Sequence, residues 1–175
     1  GSTMAFQIEA VKESELDILR DISIKTFKTT FENGGYSEDD FNQYFEEAYN
    51  IETLTQELKN EHSYTYFYKE DGEVTGYFKL NILEAQTEDM GEEYLEIQRI
   101  YFLPHAQGGG RGKDIIEFAE NKAKELNKTK IWLGVWEYNE PALKFYTKHG
   151  LKVVGRHEFQ TGSVVDSDLV MEKKL

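Results

Sequence analysis

The sequence predicts one domain of the α/β (α+β) class, in which a mixed central sheet is flanked by helices. A chain of 175 residues suits a single domain of ordinary size. Its hydrophobic period changes from helical to strand-like near residue 63, and the second half contains a strand, a glycine-rich turn, a helix and a strand in succession. Apolar residues at 39 % and aromatic residues at 14 % supply a packed core.

Three helices are predicted in the first third of the chain. Apolar residues recur at steps of three to five over residues 16–31, with Ser14 as the expected N-cap and a breaker at residues 33–35. Ser37 opens a second helix with an acidic first turn, which suits the positive end of the helix dipole. Asn50 is the expected cap of the third.

Strands are predicted from residue 64 onward. Residues 64–69 and 74–82 are rich in aromatic and β-branched side chains, with a hairpin signal between them. The acidic stretch 83–93 is predicted to be a loop, and the next strand runs from about residue 94 to residue 103. A helix over about 112–126 and a strand over 130–136 then complete a β-loop-α-β unit, whose default outcome is a parallel pair.

The last quarter predicts one helix and two strands. Asn139 precedes the helix, Pro141 lies near its start and Gly150 lies just beyond its end, a pattern typical of helix termini. Strands over about 151–159 and 164–171 follow, joined by a turn at Gly162.

The composition excludes several classes of function. There are 33 acidic and 20 basic residues, for a net charge of −13, which argues against nucleic-acid partners and against binding to an acidic membrane surface. Without Cys the chain has no disulfide, thiolate metal site or Cys nucleophile, which fits a cytoplasmic protein. The four histidines lack metal-ligand spacing, so no metal is expected. Neither a signal peptide nor a membrane span is predicted.

The domain is predicted to span residues 4–175. Gly1, Ser2 and Thr3 precede Met4 and resemble the remnant of an expression tag, so they are left out of the fold prediction.

A glycine-rich turn lies between a predicted strand and a predicted helix, where backbone N–H groups and the helix N-terminus can receive a phosphate. It consists of Gln107, Gly108, Gly109, Gly110, Arg111, Gly112 and Lys113. A Walker A loop needs a glycine at position 107 and Ser or Thr at position 114, where this chain has Gln107 and Asp114. The dinucleotide-binding fingerprint requires a third glycine, which this turn does not supply. Taken alone, the turn could also be a flexible loop.

The pattern that does match is Gln-x-x-Gly-x-Gly, and with it the chain resembles the GCN5-related N-acetyltransferases. The strand at 95–102, the strand at 131–136 and the block 139–146 lie where that family places its counterparts, so the resemblance covers the whole domain. It implies the GNAT fold, with a mixed sheet of about six to seven strands. Residues 76–81, 85–86 and 132–137 are most similar to the PaiA-type bacterial polyamine acetyltransferases.

The resemblance implies acetyl-coenzyme A as co-substrate and assigns residues to it. The glycine-rich turn would hold the pyrophosphate, main-chain groups at Ile100, Tyr101 and Phe102 would hold the acetyl and pantetheine portions, and Asn139 would contact the pantetheine arm. From the residues alone, Asn139 is an ordinary N-cap, and it can be both. The side chains of Arg111 and Lys113 could contact phosphate or could simply be exposed on the surface of the helix.

Acetyl transfer to an amine requires a neutral amine, a stabilised oxyanion and a proton for the departing thiolate. The resemblance places the general acid at Tyr146, although its spacing from Leu143 also suits a packing residue. It also implies that a Glu on the strand before the turn, here Glu96, serves as base directly or through water. A solvated Glu on an antiparallel face is the alternative.

Alternation along this strand places Tyr94, Glu96 and Gln98 on one face. The opposite face is predicted to carry Leu95, Ile97 and Arg99. Gln98 cannot act as a base.

The acceptor is predicted to be a small polyamine such as spermidine or spermine. Six acids between positions 84 and 96 flank the predicted acceptor side: Glu84, Glu88, Asp89, Glu92, Glu93 and Glu96. They would attract a polycation, and the PaiA-like resemblance favours the same substrate class. The family pattern implies direct transfer in a ternary complex and a tendency toward homodimers. Another amine, such as an amino acid, a drug or a protein terminus, and a catalytically silent acyl-coenzyme A sensor remain as alternatives.

Overall fold

The structure is a computed structural model that describes residues 5–175, so the predicted tag remnant lies outside it. Its five α-helices are α1 (Leu16–Phe31), α2 (Glu38–Ala48), α3 (Ile51–Lys59), α4 (Arg111–Glu125) and α5 (Glu140–Lys148). Its seven strands are β1 (Phe6–Ala10), β2 (Ser63–Glu70), β3 (Glu73–Ile82), β4 (Tyr94–Phe102), β5 (Lys130–Trp136), β6 (Lys152–Thr161) and β7 (Val164–Lys174).

The strands form one mixed sheet in the order β1-β2-β3-β4-β5-β7-β6. Every neighbouring pair is antiparallel except β4 and β5, which are parallel and are connected through α4. The predicted fold class and the predicted parallel unit are therefore confirmed.

Helices cover both faces of the sheet. On one face, α4 and α5 pack against apolar side chains that include Leu80, Leu95, Ile97, Leu133 and Met171. On the other face, α1, α2 and α3 bring Leu19, Ile22, Phe27, Phe45 and Leu54 against Tyr77 of β3 and its neighbours. We call this second surface the N-terminal face. Burying both faces explains why the strand sequences are largely apolar or aromatic.

Helix capping was predicted correctly at three of four positions. Ser37, Asn50 and Asn139 each accept a hydrogen bond from a backbone N–H in the first turn of their helix. The prediction for Ser14 was wrong: this residue lies inside a 3-10 turn over Glu13–Glu15, and α1 begins after it without a side-chain cap. Instead, the backbone N–H of Lys12 donates to the Glu15 carboxylate over 3.0 Å.

The edge strand β1 was not predicted. It has five residues, most of them exposed, and it pairs antiparallel with β2. So short a segment carries little periodic signal, and its pairing with a strand more than fifty residues away cannot be inferred locally.

A β-bulge interrupts β4 where the sequence predicts regular alternation. Lys79 pairs with Arg99, but the next residue of β3, Leu80, pairs with Ile97, which leaves Gln98 as the extra residue. Arg99 therefore joins Glu96 on the N-terminal face, where it pairs with Glu57 of α3, and the prediction that it shares the face of Ile97 was wrong. A bulge changes the direction of the side chains that follow it.

No helix within residues 5–175 has the length and apolar character needed to cross a bilayer.

Candidate active site

The centre of the sheet opens into a cleft because β4 and β5 diverge. The two strands pair only from Tyr94 to Ile97 on β4 and from Lys130 to Leu133 on β5. Beyond these residues β4 continues beside β3 to Phe102, and β5 continues beside β7 to Trp136. The β5-side edge of β4 thus loses its ladder partner after Ile97, which leaves backbone groups available to a ligand. A cleft of about 670 Å³ lies at this divergence.

The cleft brings together most of the residues predicted to bind the cofactor. Those that line it are Ile100, Tyr101, Phe102, Gln107, Gly108, Gly110, Gly112, Lys113, Asn139 and Tyr146. Gly109 and Arg111 belong to the same turn but are not lining residues, and Glu96 does not line the cleft either. Phe31, Trp136 and Phe145 line it and were not predicted.

The glycine-rich turn has a defined backbone conformation. Gly108, Gly109 and Gly110 have φ angles of 83°, 65° and 83°, in the left-handed region that glycine adopts at little steric cost. Gly110 is the N-cap of α4, and no side chain caps this helix. The first turn of α4 therefore keeps backbone N–H groups and a positive helix end for an anion, the arrangement that binds phosphate.

Gly112 is required by packing rather than by its backbone angle. A Cβ placed on it would lie 2.7 Å from the ring of Phe145 in α5. The absence of a side chain lets the N-terminus of α4 approach α5 across the cleft.

Arg111 fixes the turn to β2. Its guanidinium donates to the two carboxylate oxygens of Glu70 over 2.6 and 3.2 Å and to the Gly108 carbonyl over 3.3 Å. The Arg111 guanidinium holds the pKa of the Glu70 carboxyl below its usual range. Lys113 is more exposed, and its nearest carboxylate, Glu117, lies 3.8 Å away.

Tyr146 joins the apolar core to the cleft. Its side chain is 6 % exposed, and burial raises the pKa of its hydroxyl above the usual range. Within residues 5–175 this hydroxyl has no hydrogen-bond partner, so the phenol keeps its proton at neutral pH and can donate it to a ligand. Asn139, at the start of the same helix, accepts from the Ala142 N–H over 3.3 Å. That bond uses the oxygen of Asn139 and leaves its amide nitrogen to donate.

Glu96 is 2 % exposed and is held by hydrogen bonds. Its carboxylate accepts from the Asn81 amide over 3.0 Å, from the Thr87 backbone N–H over 2.8 Å and from the Thr87 hydroxyl. Glu96 therefore fixes the loop after β3 to the sheet.

Gln98, the bulged residue of β4, lines the cleft beside Glu96's network. Its side-chain oxygen accepts from Lys79 over 2.7 Å and from Asn81 over 2.9 Å. Both partners are donors, which fixes the amide orientation and leaves the NH₂ group of Gln98 to donate. Lys79 is buried, and burial lowers its pKa to about 8.

The acidic side chains of residues 83–96 have different partners and do not form one cluster. Glu84 contacts His62 at 2.6 Å, Glu93 lies 3.8 Å from Lys130, and Glu88 lies 3.5 Å from His157. Only the last of these three approaches the cleft region.

A carboxylate that was not predicted lies beside the cleft wall. Asp168 of β7 is directly opposite Trp136 of β5 and His157 of β6, on the N-terminal face. Among the described residues its ion-pair partner is His157, at 3.8 Å, and burial raises the pKa of Asp168 to about 6. Alternation places Asp168 on one strand face with Asp166 and Glu172, so the sequence pattern does not single it out.

Within the described part of the chain, no three or more His, Asp or Glu side chains are grouped so as to hold a metal ion.

Comparison with known proteins identifies the family. Residues 35–151 match the model of the Acetyltransferase (GNAT) family. The chain belongs to this family. The acetyltransferase is 40 % identical over 169 residues to an uncharacterized N-acetyltransferase of the pepI 3′ region in Lactobacillus delbrueckii subsp. lactis, covering 97 % of both chains. The predicted enzyme class is thus confirmed.

Two further relatives of the acetyltransferase are informative. A probable spermine N(1)-acetyltransferase of Bacillus subtilis subsp. natto is 26 % identical over 100 residues, which cover 57 % of this chain and 66 % of the relative. The crystal structure of the PaiA N-acetyltransferase from Thermoplasma acidophilum, in complex with coenzyme A, superposes with a TM-score of 0.79 at 24 % identity. It covers 98 % of this chain and 100 % of that one, which shows that the two share a fold.

Proposed function

We propose that this acetyltransferase moves the acetyl group of acetyl-coenzyme A directly to a primary amine of a small polyamine, such as spermidine or spermine, in a ternary complex. One observation carries the proposal: the cleft that is lined by the glycine-rich turn also reaches Gly134, beside the Asp168 carboxylate. The cleft thus offers donors for phosphate, and the Asp168 carboxylate, which is not itself a lining residue, lies behind Gly134 as a negative charge for an ammonium group.

The cleft fits a coenzyme A thioester. The left-handed glycines and the uncapped start of α4 suit a pyrophosphate, and Lys113 adds a positive charge nearby. The unpaired edge of β4 over residues 98–102 suits the amide groups of a pantetheine arm, and so does the free amide nitrogen of Asn139. The coenzyme complex of the Thermoplasma relative, which shares the fold, supports the same co-substrate. When bound, this co-substrate supplies the thioester that is cleaved.

Tyr146 is proposed as the general acid, because its protonated phenol faces the cleft without a protein partner. The sequence predicts Glu96 as the base, but Glu96 does not line the cleft and would have to act through water. The polyamine assignment is supported by the acidic surroundings of Asp168 and by the name of the distant Bacillus relative.

The test is release of coenzyme A from acetyl-coenzyme A with spermidine, spermine, and a panel of monoamines and amino acids. We expect saturable turnover that prefers the polyamines. Turnover restricted to another amine would overturn the substrate class and keep the chemistry. Tight binding of acetyl-coenzyme A without turnover on any amine would overturn the enzymatic proposal in favour of a sensor.

A further inference from the structure

Asp168 does not line the cleft itself, but it lies directly behind Gly134, where no side chain separates its carboxylate from the cleft. Gly134 lines the cleft, and a Cβ built on it would lie 3.2 Å from Oδ2 of Asp168 and 3.3 Å from Cε1 of His157. The Asp168 side chain is 21 % exposed, so the carboxylate is mostly removed from bulk water.

The Asp168 carboxylate has little compensation for its burial. His157 approaches at 3.8 Å, which is longer than a hydrogen bond, and no Lys or Arg of the described residues forms an ion pair with it. Glu96 on the same face accepts three hydrogen bonds instead. An ionised carboxylate in a partly buried site is unfavourable without a cation, so this site is suited to receive one.

The groups around Asp168 increase this demand for a cation. On its own strand and on the turn after β5, Asp166 and Glu137 add negative charge, which for Glu137 is partly offset by Arg156 at 3.3 Å. His157 of β6 is the cationic group that acts on Asp168 itself. His157 itself lies 3.5 Å from Glu88 of the loop after β3. The hydroxyls within electrostatic reach are those of Tyr36 before α2, Tyr44 on α2 and Tyr101 on β4.

Tyr101 of β4 lies within electrostatic reach of both Asp168 and Tyr146. It lines the cleft, and burial raises the pKa of its hydroxyl well above the usual range, with Tyr77, Tyr44, Asp168 and Tyr146 adding to the effect. The proposed general acid and Asp168 therefore both lie within electrostatic reach of one cleft residue.

We infer that Asp168, rather than Glu96, binds the ammonium group of the acceptor and takes its proton before acetyl transfer. This inference rests on the proposed function. The partly desolvated carboxylate becomes a base poised near neutral pH, because burial raises its pKa to about 6.

The acceptor ammonium gives one proton to Asp168, which later releases it to solvent. The lone pair of the neutral amine forms the new C–N bond, and the electron pair of the C–S bond leaves on sulfur. Sulfur takes the proton of Tyr146, and the second proton of the attacking nitrogen restores the Tyr146 phenol. The net result is an amide, a thiol and one released proton.

The first experiment compares Asp168→Asn with the wild type from pH 5.5 to pH 9, using spermidine and acetyl-coenzyme A. We expect kcat/KM for spermidine to fall by about 10²- to 10⁴-fold, the range for loss of a general base, and the acidic limb near pH 6 to disappear. The KM for acetyl-coenzyme A should stay within about threefold. Glu172→Gln is the matched control, since Glu172 lies on the same face of β7 and binds Tyr94 at 2.9 Å, away from the cleft.

A second variant tests the inference in case Asp168→Asn does not fold. Gly134→Ala keeps the carboxylate and places a methyl group against it, so we expect reduced kcat/KM for spermidine, while circular dichroism and the melting temperature show whether the fold is retained. A kcat/KM for Asp168→Asn within threefold of wild type, with the acidic limb retained, would overturn the inference and leave the proposed function standing. If the wild type turns over no amine, the proposed function itself fails, and the inference fails with it.

Discussion

The shielded polar side chains of this protein are of two kinds: those with hydrogen-bond partners in the protein and those without. Glu96 and Glu70 are buried acids whose oxygens are occupied by donors from neighbouring strands, loops or helices. Tyr146 and Asp168 are shielded as well, yet each lacks a hydrogen bond within the described residues. A polar group that the protein leaves unpaired beside a cleft is available to a ligand, so these two are the chemical candidates.

Tyr146→Phe tests the general acid. The substitution removes one oxygen and preserves the ring, so we expect kcat to fall by about 10²- to 10⁴-fold with little change in the affinity for acetyl-coenzyme A. Tyr138→Phe is the control, because Tyr138 is 65 % exposed. Steady-state kinetics and calorimetry provide the two readouts. A wild-type kcat in Tyr146→Phe would leave the residue with a packing role.

Glu96→Gln separates packing from catalysis at the predicted base. The amide keeps one acceptor oxygen but cannot satisfy both Thr87 donors and Asn81, so we expect a loss of about 1 to 3 kcal/mol in the free energy of unfolding. Denaturant titration measures it. If Glu96 is also the base, the acidic limb of the kcat/KM profile should disappear in this variant and persist in Asp168→Asn.

Asp168 should make the protein less stable as the pH rises. Its pKa in the folded protein is raised to about 6 from 3.8, chiefly by burial, so the folded state binds this proton more tightly than the unfolded state. The contribution to stability is complete below about pH 4 and is lost as the pH rises through 6. We therefore expect Asp168→Asn to raise the free energy of unfolding at pH 8 by on the order of 1 kcal/mol, or roughly 2 to 4 °C in Tm. Equal melting temperatures of Asp168→Asn and the wild type at pH 8 would contradict this expectation.

At the scale of elements, the cleft depends on how closely α4 and α5 approach each other. Gly112→Ala would press a methyl group into the Phe145 ring, and we expect a loss of about 1 to 3 kcal/mol, typical of overpacking. Gly155→Ala is the control, because a Cβ there meets only Val170, at 4.0 Å. Thermal unfolding of both variants gives the comparison. Equal stability of the two would show that α5 can move aside.

Elements with local signals were predicted from the sequence, and those that depend on distant pairing were not. Capping side chains at Ser37, Asn50 and Asn139 act within one helical turn, so the sequence alone indicates them. The same holds for the glycine-rich turn, whose glycines indicate the proposed phosphate-binding site. The bulge at Gln98 and the position of Asp168 beside Gly134 depend on which strands pair and in what register. No short window of sequence contains that information.

At the scale of the whole molecule, the net charge of −13 acts in opposite directions on the two substrates. Attraction should concentrate a polycation near the cleft, whereas acetyl-coenzyme A is an anion and is repelled. Salt screens both effects. Between low and high ionic strength we expect KM for spermidine to rise and KM for acetyl-coenzyme A to fall, as measured by initial rates. Parallel changes in both constants would contradict a long-range electrostatic origin.

The divergence of β4 from β5 also bears on how the protein resists unfolding. The two halves of the sheet are joined by a short parallel seam, from Tyr94 to Ile97 on one side and from Lys130 to Leu133 on the other. A ligand lying across the opening would contact β4, the start of α4 and α5. It would thereby link the two halves of the sheet where β4 and β5 no longer pair. Because a ligand that binds only the native state adds RT ln(1 + [L]/Kd) to its stability, backbone amides along this seam should exchange their hydrogens more slowly once coenzyme A is present. The enzyme would then be most resistant to proteolysis when its donor substrate is abundant.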